Sequence, residues 1–202
     1  MRRGRYVVAC AFLAIGVGLL GETAAAARPS QANPTPAGDW AHSVCGALVD
    51  WRGAVEHAAN DTTEATQGAR RLSESARVKK AKQAIGKFLD VAIDATTTAE
   101  SNVRAVGGPP VTNSADVENA LLASFDELVT FLRSSQDRAK AVSTKNAKRA
   151  DVKLTAIAEA ISTQGDEVQS VMNGAVAKDA SEVLSGAIAA DPQCADVLGG
   201  QT

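Results

Sequence analysis

NVRAVGGPPVTNSADVENA, residues 102–120, decides the fold. Gly107, Gly108, Pro109 and Pro110 cannot sustain a helix, and they form the sharpest break in the chain. Just beyond it, Asn113 or Ser114 can cap a new helix, and Asp116 and Glu118 suit the positive end of its dipole. Before the break, Leu72, Ile85, Phe88, Leu89, Ala92, Ala99, Val103 and Val106 form an apolar stripe at helical spacing. After it, Val117, Leu121, Phe125, Leu128, Leu132, Ala139 and Val142 form another. Two long helices joined by so short a turn lie antiparallel.

The pattern repeats on both sides of this pair. Asp39 can cap a first helix with the stripe Trp40, Val44, Leu48, Trp51, Val55 and Ala58, and Gly68 is a natural stop. A fourth helix carries Leu154, Ile157, Ile161, Val168, Val171 and Ala175, with a gap at Gln164. No glycine or proline separates Val142 from Leu154, so this boundary is the least marked. Residues 180–198 add a short fifth helix interrupted at Pro192. Each long segment is about thirty residues, or about 45 Å as helix. The expected fold is all-α: an up-down-up-down four-helix bundle with a short C-terminal helix.

Composition agrees. Aromatic residues are only 3% of the 202, which leaves aliphatic side chains to fill the core and argues against an aromatic-rich β-sandwich. Alanine, the best helix former, is abundant, and small side chains let helices approach closely.

The N-terminal region reads as an address. Arg2, Arg3 and Arg5 precede an apolar run from Tyr6 to Gly21, and Ala24 to Ala27 follow, the order of a secretory signal cleaved near Ala27. An uncleaved anchor is the alternative, and the run is short for a membrane span. Cys10 lies in a loose lipobox but sits before most of the apolar run, which argues against lipidation there. Residues 28–38, RPSQANPTPAG, hold three prolines and no apolar period, so they read as a flexible tether before a helical domain spanning residues 39–202.

Removal of residues 1–27 leaves Cys45 and Cys194 as the only cysteines. In an oxidising compartment such a pair is expected to form a disulfide, which would pin the C-terminal tail to the first helix. Two independent buried thiols are the alternative.

Catalytic and cofactor patterns are sparse. His42 and His57 lie fifteen residues apart on one helix, about 22 Å along its axis, and cannot share a metal. His42 and Cys45 could share a helix face as ligands, but oxidation of Cys45 removes that option. Asp126 and Glu127 are neighbours that diverge by about 100° on a helix, so they do not form an acid/base pair. The sequence contains no Glu-x-x-His, Walker A loop, nucleophile elbow or Cys-x-x-Cys. No cofactor is expected, and a non-enzymatic binding role leads. An envelope enzyme with an unfamiliar site and a passive spacer are the alternatives.

Trp51, Arg52 and Gly53 match the Trp-x-Gly signature of helical-hairpin proteins exported by type VII secretion. That family has the signature at a turn between helices, whereas here it lies inside a helical stripe. Its Tyr-x-x-x-Asp/Glu export motif is impossible with Tyr6 as the only tyrosine. The chain resembles instead a group of uncharacterised small secreted proteins of actinobacteria. The resemblance rests on Ala24 to Ala27, on Trp40 with Cys45, on the Gly107 to Val111 turn and on the final cysteine, Cys194. It implies an extracytoplasmic helical domain and carries no catalytic residues.

Charge is unevenly spread. The chain without residues 1–27 has 18 basic and 22 acidic residues, a net charge of −4. Residues 56–87 and 133–153 together carry +8, so the remainder carries −12. In an up-down-up-down bundle the first and third junctions share one end. Arg70, Arg71, Lys79, Lys80, Lys82, Lys145, Lys148, Arg149 and Lys153 would then form one basic pole. Such a pole fits acidic cell-envelope polymers, anionic lipid headgroups or an acidic protein. Nucleic acid fits less well, because no aromatic residue interleaves the basic runs to stack on bases. Ordinary solvation of the helix surfaces is the alternative reading of these cations.

Overall fold

The structure is a computed structural model that describes residues 36–179 and 182–198, with side chains described except over 165–179 and at 198. The expected signal segment 1–27, with Cys10, and residues 28–35 of the expected tether lie outside the described residues. Side chains of Val168, Val171 and Ala175 do as well.

Four long helices run α1 Pro36–Gly68, α2 Glu74–Val106, α3 Ser114–Ala141 and α4 Ala147–Asp179, followed by α5 Glu182–Ala190 and α6 Pro192–Leu198. No strand occurs among the described residues. Helix α1 begins three residues ahead of Asp39, which therefore lies in its first turn and does not cap it. Proline suits that position because its fixed φ is already helical and its missing N–H would be unpaired there anyway. Residues 36–38 thus belong to α1 and not to the tether, and Ala37 is buried. Trp51, Arg52 and Gly53 lie inside α1, not at a turn.

Hydrogen bonds record the antiparallel course of α1 and α2. The indole N–H of Trp40 donates to the Gly107 carbonyl at 2.8 Å, that of Trp51 to the Thr96 hydroxyl at 3.1 Å, and the Thr62 hydroxyl to the Ala84 carbonyl at 3.4 Å. As α1 advances, α2 recedes by matching steps. Lys82 reaches the carbonyls of Lys140 and Val142, which sets the end of α3 against the start of α2. Up-down-up-down topology follows.

The connections differ in chemistry. Between α1 and α2 the chain makes a 3-10 turn, Ala69–Arg71, and the Ser73 hydroxyl caps α2 by accepting from the Ala76 N–H at 3.4 Å. Leu72 is consequently outside α2 and exposed, not part of its core stripe. At the α2–α3 turn Gly107 has φ 77° and ψ −171°, a region open in practice to glycine alone. Gly108 packs so closely that a Cβ would lie 2.9 Å from the Ser114 carbonyl oxygen. Asn146 settles the weakly marked boundary: its side-chain oxygen accepts from the Arg149 N–H at 2.9 Å and starts α4.

Phe125, Leu89, Leu121, Leu184, Val103 and Val117 are the largest apolar side chains in the fully buried core. The Trp51 ring meets Phe125 edge to face, with centroids 6.4 Å apart. Ala41, Ala92, Ala99, Ala139 and Ala150 are also buried, at seams where a larger residue would hold the backbones apart. Helix α1 packs on α2, α5 and α6, while α3 and α4 complete the other side around α2.

The tail is held by chemistry as well as packing. Cys45 and Cys194 are disulfide-bonded, with Cα atoms 5.0 Å apart. Pro192 does not interrupt one helix but opens a second. Asp191 caps it, accepting from the Gln193 and Cys194 N–H groups at 2.8 and 3.3 Å. The other oxygen of Asp191 pairs with His42 Nδ1 at 3.0 Å, and Arg52 donates to the Asp196 carbonyl.

Candidate functional site: a basic pole

Two sequence-distant basic segments meet because the topology turns the chain back three times. Arg70 and Arg71 occupy the 3-10 turn, and Lys79, Lys80 and Lys82 lie in the opening turns of α2. Lys145 is in the α3–α4 connection, with Lys148, Arg149 and Lys153 at the start of α4. The bonds from Lys82 to the end of α3 tie the two segments together. Counted along their own helices, the cations of α2 and α4 all lie within about 12 Å of the helix starts.

They are not equivalent. Lys82 is half-buried, and its ammonium closes the C-terminus of α3 by donating to the Lys140 and Val142 carbonyls at 2.7 and 2.8 Å. It is a structural clamp, and the expectation that it presents its charge outward needs correcting. The other eight are exposed. None of these eight makes an ion pair among the described residues, where the ion pairs are His42–Asp191, Arg52–Glu56, His57–Asp61 and Arg104–Glu100. The carboxylates of Glu56, Asp61, Glu64, Glu74, Asp137 and Asp151 lie in the same two segments, and none forms an ion pair with these eight cations among the described residues.

Electrostatics at α4 run against helix stability. Its first turn contains Lys148 and Arg149 and no acidic residue. Cations at the positive end of a helix dipole are unfavourable, and an anion placed there is favoured by both the dipole and the cations. Opposite in character is the last turn of α2, where Arg104 bonds Glu100 at 2.6 Å. That hydrogen bond raises the Arg104 pKa above its ordinary value.

Two apolar residues beside these cations are exposed, Leu72 and Val152, with 43% and 65% of their surface open. Leu72 reads in the sequence as part of the α2 stripe, which the structure corrects. Val152 could have been found, since it sits two residues before Leu154 and falls off the core spacing of α4. Arg77, Arg138 and Lys140 also lie within the two basic segments.

Other candidate groups are dispersed. His57 lies 3.9 Å from Asp61 on an open face, and His42 is engaged with Asp191. Cys45 is oxidised and offers no thiolate. A shallow groove of about 430 Å³ between α2 and α3 is lined by Asp90, Asp94, Arg133 and Asp137, and a 2.6 Å bond from Gln136 to Asp90 spans it. No described residues form a group of three or more His, Cys, Asp or Glu able to hold a metal. No described helix is long and apolar enough to cross a membrane. Comparison with protein-family models, curated proteins and solved structures finds no match.

Proposed function

We propose that this protein is an extracytoplasmic binding module without a catalytic role, engaging an anionic partner through its basic pole. The observation that carries the reading is the gathering of eight exposed, unpaired cations from two distant segments at one bundle end. Surface cations serving only solubility need no such convergence. They are more often interleaved with carboxylates along helix faces. The disulfide supports an oxidising compartment, where such a crosslink persists. The signal reading of residues 1–27 supports export by the general secretory route.

The mechanism is electrostatic. Clustered positive charge raises the local concentration of an anion and steers its approach, and the net negative remainder keeps approach confined to one end. Salt shortens the Debye length toward about 8 Å at physiological strength and weakens the attraction.

Binding of purified protein to soluble polyphosphate tests the reading. It is expected to fall steeply with salt, and to fall again in Lys79→Glu with Lys80→Glu and in Lys148→Glu with Arg149→Glu. Equal binding by the wild type and both variants, or binding indifferent to salt, would return these residues to the role of solvated helix surface.

A further inference from the structure

We propose that the anionic partner is the surface of a lipid bilayer, with Leu72 and Val152 entering the boundary between headgroups and acyl chains while the surrounding cations hold phosphates. This rests on the reading of the pole as an anion-binding surface and narrows it to one class of partner. Among the described residues five large apolar side chains are exposed, and two of them stand at this pole. Val152 follows Lys148 and Arg149 by four and three residues on the exposed face of α4 and directly precedes Lys153. Leu72 directly follows Arg70 and Arg71, in extended backbone at φ −80° and ψ 165°, where no helix turns it toward the core.

A soluble polyanion gains nothing from an exposed leucine and valine. A bilayer does, because lysine and arginine reach phosphates on long aliphatic stems while short apolar residues between them sink below the headgroups. Charge distribution sets the approach. The pole is attracted by an anionic surface, and the remainder of the chain, carrying −12 in the sequence without residues 1–27, is repelled. Helices of 33 residues are about 50 Å long, several Debye lengths at physiological salt, so the carboxylates of Asp116 and Glu118 at the opposite end stand clear of the membrane field. The bundle docks end-on. It touches the surface without spanning it.

The test uses vesicles of phosphatidylcholine alone, vesicles with equal parts phosphatidylglycerol, and soluble polyphosphate as a lipid-free anion. Wild type is expected to sediment with the anionic vesicles and not with the neutral ones. Leu72→Ser with Val152→Ser, both at exposed positions, is expected to bind anionic vesicles about tenfold more weakly while its polyphosphate binding is unchanged. A Leu72→Trp variant is expected to show blue-shifted emission only with anionic vesicles. Vesicle binding that ignores the serine pair, with no blue shift, would overturn the apolar contact. Polyphosphate binding without vesicle binding would overturn the lipid assignment and leave the basic pole standing. Failure to bind either would overturn both.

Discussion

The Lys82 ammonium on α2 lies 2.8 Å from the carbonyl oxygen of Val142 at the end of α3. One lysine thereby satisfies backbone acceptors that a helix C-terminus leaves open, and it draws the two halves of the basic pole together. Lys82→Met is expected to destabilise the fold by about 1 kcal/mol, a charged hydrogen bond discounted for partial exposure, in urea unfolding. Lys79→Met, whose side chain is exposed, is expected to change stability by less than about 0.5 kcal/mol. Equal effects would mean that the clamp contributes nothing.

Replacing Lys148 and Arg149 by glutamate separates binding from stability. Negative charge in the first turn of α4 is expected to raise unfolding free energy by about 0.3–1 kcal/mol per site at low ionic strength, through the helix dipole. The same variant is expected to lose polyphosphate binding. A variant that is destabilised and non-binding would point to damage to the fold.

The disulfide joins residues 149 positions apart. Cys45→Ser with Cys194→Ser is expected to lose roughly 2–5 kcal/mol, chiefly because the open unfolded chain regains entropy. Hydrogen exchange should accelerate first in α5 and α6, which pack on α1 and on each other. Uniform acceleration through α2 and α3 would contradict that order.

Thr96 is fully buried; its hydroxyl accepts from the Trp51 indole at 3.1 Å and donates to the Ala92 carbonyl at 2.6 Å. Thr96→Val keeps the shape and removes both bonds. The expected cost is about 1–3 kcal/mol, since the indole N–H is left without its partner, and the tryptophan emission should shift. No change in either measurement would mean that the indole finds a replacement acceptor.

Gly107→Ala is expected to cost about 1–3 kcal/mol in thermal unfolding, because φ 77° with ψ −171° crowds a Cβ against the backbone. Gly53→Ala is the control: a Cβ there meets nothing within 4 Å, and alanine favours a helix interior. It should be neutral or stabilising.

Much of the architecture was legible locally. Apolar spacing identified the long helices, because a 3.6-residue period is written into the chain wherever one face must be dry. The Gly107 to Pro110 break was equally plain, and the disulfide partners followed from having only two cysteines after residue 27. Less accessible were the ends. Pro36 extends α1 backward and Asn146 opens α4, and both depend on which of several permitted caps the packed chain uses. Leu72 was misread because an apolar residue near a helix start looks like part of its stripe until the turn before it is known.

Charge followed the same division. Composition and order along the chain determined that two segments are basic and that the remainder is acidic. Only the tertiary structure decided which cations act together. Antiparallel packing brings residues near 80 and near 148 to one end, although nothing local to either segment encodes the other's position. It also withdrew Lys82 to close α3 and left Leu72 and Val152 outside, since burial is a property of neighbours supplied by distant sequence and not of the residue alone.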